Sequence, residues 1–274
     1  MFRDLEIWLN HFEYHAQHPR CVPAGLPDVL EPGERRLIAR SIATFQLGEQ
    51  PEGNALLFSA WRFAKKHNAA PLIRILELLL GEQRRHAALL RKFMEDHALP
   101  QKQTDWTDFV FCCLRRLGGF EFRLYLLITA ELIASVFYRA LEVATGCQRL
   151  KILCRTLVAD ELAHVGLESQ LLLTLRARRP AFVRGGLRLA HRVFFAGTAS
   201  IVYLTHRAVL RNAGYNMVSF LRVCTTQYDF YLEPPVDCRG APPRQGHPPR
   251  TSGAYERQDV GAQAIAGSIQ SKDH

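Results

Sequence analysis

At 274 residues and 48% hydrophobic content, the chain can bury one substantial core and still carry a tail. Its seven cysteines form no Cys-x-x-Cys pair, which argues against a zinc ribbon, an iron–sulfur site or a disulfide framework and predicts a reducing, cytoplasmic setting. The net charge of +9 gathers in residues 1–232, but aromatic residues do not interleave with the basic ones. An ordinary solvated face is therefore expected ahead of a nucleic-acid or membrane surface.

Residues 1–18 predict a short amphipathic helix, with Phe2, Leu5, Ile7, Trp8, Leu9 and Phe12 apolar. The same stretch holds Asp4 and Glu6 and no apolar leader, so no secretory signal is expected. His11, His15 and His18 follow at helical spacing, but no carboxylate is tied to them and they read as surface histidines. Pro23, Pro27 and Pro32 make the next segment a loop.

From Glu34 the apolar period predicts helix through Leu37, Ile38, Ile42 and Phe45 to Ala64, with a kink or restart at Pro51. Pro71 suits the first turn of a helix over 72–97 that carries Glu77, Glu82 and His86. A linker over 100–107 and a short helix over 109–117 lead to two long helices, Leu124–Leu141 and Gln148–Leu175, around an Ala144-Thr145-Gly146 turn. Another apolar helix over 187–211 holds His191 and His206, each a weaker candidate for reaching the site below. Its run Val193–Leu204 is too short to span a bilayer. A last helix near Met217–Leu232 precedes a stretch in which Pro-Pro occurs three times, expected to be disordered. The divisions expected are thus 1–33, 34–232 and 233–274.

The chemistry concentrates in Asp160-Glu161-Leu162-Ala163-His164. On a helix, Glu161 and His164 leave the same face. Leu157, Val158, Leu162 and Val165 make the stretch apolar, so that face turns at least partly inward, where charges need partners or a metal. Glu131 lies about as far from the intervening turn as Glu161, which brings the two side by side in a hairpin.

Residues 45–97 repeat the layout of 125–175: two long helices with Glu and His late in the second. The separation from Glu131 to Glu161 is 30 residues, and so is that from Glu52 to Glu82. Two positions remain ambiguous. Glu49 and Glu52 share a face, and either could supply the first carboxylate. Glu82 stands four before His86 rather than three, with Gln83 where the second half has Glu. The expectation favours Glu82 as the inward group, realigned by a local bulge, over Gln83.

Glu131 with Asp160-Glu161-x-x-His164 resembles the Glu…Asp-Glu-x-x-His motif of di-iron N-oxygenases. Across about residues 34–175 the chain resembles the ferritin-like di-iron carboxylate superfamily, which includes rubrerythrin and the ribonucleotide reductase small subunit. The resemblance implies an all-α, four-helix bundle of two hairpins with extra terminal helices. It implies two iron ions, or manganese or a mixed pair, held by Glu49 or Glu52, Glu82, His86, Glu131, Glu161 and His164, with Asp160 bonded behind a histidine and Gln83 beside the ligands. Phe45, Phe58, Trp61, Phe137 and Tyr138 are available to line a dry cavity. The activity implied is O2-dependent hydroxylation or N-oxidation of a small organic substrate, with an electron donor; the helices over 187–232 are expected to cover the bundle or to make a homodimer contact. The alternatives are a peroxide-reducing or iron-oxidising protein of rubrerythrin or ferritin type, and a helical scaffold that has lost part of its metal site.

Overall fold

The computed structural model describes residues 5–50, 53–102 and 118–233. It is all-helical among those residues: α1 Leu5–Gln17, α2 Pro32–Gly48, α3 Gly53–His67, α4 Pro71–Asp96, α5 Phe120–Ala144, α6 Gln148–Ala177, α7 Ala181–Asn212 and α8 Met217–Leu232. Residues up to Leu232 form one compact unit. Pro51, Glu52, the helix expected at 109–117 and the tail from 234 lie outside the described residues.

Local chemistry sets the helix ends. Pro32 and Pro71 begin α2 and α4, where a missing N–H costs nothing. α4 closes at His97, and Ala98 then takes a positive φ of 50°. The α5–α6 turn is tied to the start of α2, since Glu34 accepts hydrogen bonds from Thr145 Oγ1 and from Gly146 N–H, the latter at 2.8 Å.

α5 and α6 pack most extensively against each other, and α4 packs on α6 as well as on α1, α2 and α3. Leu72, Ile75, Leu76 and Leu79 of α4, Leu124, Ile128, Val136 and Phe137 of α5, and Leu150, Leu157, Val165 and Leu172 of α6 are wholly buried. α1 lies close on α6 at Gly166, where a Cβ would sit 3.0 Å from the Trp8 ring, and Trp8 Nε1 donates to Gln170 Oε1 at 2.6 Å. Larger residues at 166 would lift α1 away.

α5 and α7 are both long and apolar enough to cross a membrane by length and composition. In α5, 78% of the apolar stretch is buried within the protein; in α7 the share is 39%. The helix expected over 187–211 runs from Ala181 to Asn212, so the length test that the Val193–Leu204 run fails is met by the whole helix, which exposes Phe182, Leu189, Val193 and Leu204. Phe58 and Trp61 are also exposed and line no interior, contrary to expectation. α3 turns that face outward and buries Leu56, Ala60 and Ala64 instead.

Candidate metal centre

α4, α5, α6 and the C-terminal end of α2 converge on a buried group of acids and imidazoles. Glu49 caps the end of α2, Gln83 and His86 lie on α4, Glu131 on α5, and Glu161 and His164 on α6. Two three-residue groups emerge. Glu49, His86 and Glu161 bring one ligand atom each within 4.8 Å of one another, and so do Glu131, Glu161 and His164. Glu161 belongs to both. Its Oε1 lies 3.2 Å from His86 Nδ1 and its Oε2 lies 3.8 Å from His164 Nδ1.

The imidazoles are oriented from behind by exchanged acids. His86 of α4 bonds Asp160 of α6 (Nε2 to Oδ2, 3.0 Å), while His164 of α6 bonds Glu82 of α4 (Nε2 to Oε2, 2.9 Å). A carboxylate accepts, so Nε2 carries the proton and each Nδ1 points its lone pair inward when the ring is neutral. Asp160 is in turn bonded by Arg20 and by Arg85, the latter at 3.2 Å. Tyr138 donates to Glu49 Oε1 at 2.6 Å, leaving Oε2 directed at His86 Nδ1, 3.6 Å away.

The expectation for the first half is therefore reversed. Glu82 belongs to neither three-residue group; it is the outer partner of His164. Gln83 takes the inward position, donating from Nε2 to Glu131 Oε1 at 3.0 Å. The reason is register. Glu82-Gln83-x-x-His86 matches Asp160-Glu161-x-x-His164 position by position, and α4 runs as regular α-helix through this segment, with no bulge to shift it. Glu49 joins the His86 group, whereas Glu52 lies outside the described residues.

Several residues fall elsewhere than expected. His11 and His15 are half-buried rather than surface histidines: His15 Nδ1 lies 4.0 Å from Glu82, and the two rings meet at a tilt with centroids 4.3 Å apart. Phe12 stacks on His164 with centroids at 5.8 Å. Phe45 and Phe137 stack at 3.7 Å beside Tyr138, and His206 meets this pair and Ser41 Oγ (3.0 Å) at a kink in α7. His191 joins a separate cluster around Arg176. Neither of these two histidines appears in the groups above.

Glu168 was not anticipated. It is completely buried on α6, one turn beyond His164, and neither of its carboxylate oxygens meets a hydrogen-bond donor. Its separation of seven residues from Glu161 was the available signal.

The electrostatics follow from crowding acids in a dry interior. Burial pushes Glu131 up to about 7, although His164 pulls it down, and burial with Glu131 beside it drives Glu168 well above the carboxylate range. Burial also opposes ionisation of Glu161, but the imidazoles of His164 and His86 beside it prevail and bring it to about 2. Burial disfavours charge on His86 and His164, yet their acidic partners raise both well above the usual imidazole value.

The donor set suits a metal ion. Nδ1 of both imidazoles, both oxygens of Glu161 and Oε2 of Glu131 are buried without a hydrogen-bond partner, which is costly unless something else satisfies them. These buried Glu and His groups, oxygen and imidazole donors with no thiolate among them, could hold a metal ion. A third grouping, Asp28, His97 and Cys147, is already satisfied: Asp28 accepts from His97 Nε2 and from Arg149 Nη1, each at 2.7 Å. It ties the loop before α2 to the end of α4 and the start of α6. Comparison of the chain with family models, curated proteins and solved structures gives no match, so the meaning of the centre rests on its geometry.

Proposed function

We propose that this chain is a ferritin-like di-metal carboxylate oxidoreductase, with two iron ions as the first choice and manganese or a mixed pair as variants. It would use O2 to hydroxylate or N-oxidise a small organic substrate. One observation carries the reading: Glu161 offers one oxygen to each of two groups, Glu49 with His86 and Glu131 with His164. A shared carboxylate between two imidazole-and-acid sets is what holding two cations a few ångströms apart requires.

The named residues do the following. Asp160 and Glu82 fix the imidazoles so that Nδ1 faces inward. Arg20 and Arg85 keep Asp160 ionised for that task, its carboxyl held well below the usual range by His86 and Arg20 against the effect of burial. Tyr138 holds one oxygen of Glu49 and leaves the other to coordinate. Phe12, Phe45 and Phe137 exclude water from the surroundings. A pair of redox-active metals in this place supplies electrons for the reduction of dioxygen, and an external donor restores them.

The test is metal content per chain after anaerobic iron loading, for the wild type and for Glu161→Ala. Two metals in the wild type and none in the variant support the reading and justify assays of O2 consumption with candidate amines and hydrocarbons. The amide at Gln83 favours a second reading, a helical scaffold with a degraded site, and a wild type that binds no metal would select it.

A further inference from the structure

This inference rests on the di-metal reading and concerns how the chain completes such a site. The second half offers a carboxylate, Glu161, three residues before its histidine; the first half offers the neutral amide of Gln83 at the same place. That amide is already engaged with Glu131. With neutral imidazoles, Glu49, Glu131 and Glu161 supply three negative charges, one fewer than two divalent cations need. An uncompensated charge is expensive in a buried site.

We propose that Glu168 is the fourth carboxylate ligand and that it replaces the one missing at Gln83. Glu161, His164 and Glu168 fall three and seven residues apart and so share one face of α6. Glu168 is 0% exposed, neither of its oxygens has a hydrogen-bond partner, and no arginine or lysine pairs with it among the described residues. It stands outside the two three-residue groups, and its tie to them is the Glu131 carboxyl, with which it interacts electrostatically. Neutral without metal, this carboxyl can ionise at such depth only against a cation, and the groups beside it are the proposed ligands of one. The resulting centre is lopsided: Glu131, Glu161, Glu168 and His164 serve one metal, while Glu49, Glu161 and His86 serve the other. The first equivalent should bind on the His164 side.

The test compares wild type, Glu168→Gln, Gln83→Glu with Glu168→Gln, and Glu82→Gln, using anaerobic Fe(II) titration calorimetry, elemental analysis and the visible spectrum of the Co(II) forms. Losing an outer hydrogen-bond partner typically weakens metal binding by about 10–100-fold, so Glu82→Gln sets the scale of a supporting residue. Glu168→Gln, nearly isosteric and checked for its fold by circular dichroism, should bind one metal, or the second more weakly than that scale, with a changed Co(II) spectrum. The double variant should return to two. Two metals at unchanged affinity in Glu168→Gln overturn the assignment while leaving the di-metal reading intact. A double variant that stays at one overturns the exchange with Gln83. A wild type that binds no metal overturns both.

Discussion

Two buried polar clusters sit along the α5–α6 pair, and they are built on opposite principles. The cluster around Glu161 has more acceptors than donors, and its acids leave oxygens without partners. The cluster around Arg176 contains a fully buried guanidinium, 1% exposed, with no carboxylate paired to it among the described residues. Its Nη2 donates to His191 Nδ1 at 2.8 Å and its Nε to the Tyr125 hydroxyl at 3.2 Å, while His191 Nε2 donates to Thr129 Oγ1 at 3.0 Å. Thr129 passes its proton to the Tyr125 carbonyl and Tyr228 adds a second donor to His191 Nδ1. Arg176 Nη1 is buried without a partner, but the other polar atoms named each end on another from α5, α6, α7 or α8. That cluster is largely satisfied from within and joins helices; the acidic one leaves several inward atoms open at its centre, where a cation could satisfy them.

Experiments that sharpen or break this contrast run from large effects to small. Phe12 is 1% exposed and covers the acidic cluster, so Phe12→Ala should destabilise the protein by about 3–5 kcal/mol in urea unfolding. The two clusters should also respond oppositely to pH. Burial and Arg176 lower His191 to about 3, so the stability it supports is present above its ordinary value and is lost as pH falls toward 3. That loss is on the order of 4 kcal/mol and should shrink in His191→Gln. Glu131, raised to about 7, acts in the other direction in metal-free protein. Its contribution is full below the ordinary glutamate value and disappears as pH rises through 7, on the order of 3 kcal/mol, and Glu131→Gln should flatten that limb of the melting curve.

Smaller effects test the Arg176 cluster and the surface. Replacing a buried charge that lacks a counter-charge by an apolar residue of similar length is often neutral or stabilising. Arg176→Met should therefore leave the melting temperature unchanged or raise stability by about 1 kcal/mol, since His191 keeps its bond from Tyr228. A loss of several kcal/mol would show that the hydrogen bonds of the guanidinium outweigh the cost of burying its charge. Phe182, 82% exposed on α7, lies outside both clusters, and Phe182→Ser should change stability by less than about 0.5 kcal/mol.

Most helices were legible because their apolar periods are long and proline marks their starts. Pro32, Pro71 and the Ala144-Thr145-Gly146 turn fall at or beside observed boundaries. Glu161 and His164 were legible because three-residue spacing on an apolar helix leaves few alternatives. Gln83 was misjudged because residue chemistry was weighed above register: a carboxylate was preferred to an amide, although Glu82-Gln83-x-x-His86 already matched Asp160-Glu161-x-x-His164 in spacing. The role of Arg176 was not legible, since an arginine near a helix end in sequence resembles any solvated one. Its burial depends on α7 and α8 folding back over α5 and α6, which no local pattern announces.

The N-terminal segment has a kinetic consequence. Trp8 rests on Gly166, Phe12 on His164, His15 beside Glu82, and Arg20 on Asp160, so one short arm touches both acids that steady the imidazoles. The arm joins the remainder through a proline-bearing loop before α2. On the di-metal reading, an ion approaching from that side would wait for the arm to lift. Uptake would then stop accelerating at high metal concentration and level off at the rate of undocking, and a cut in the loop would abolish that ceiling.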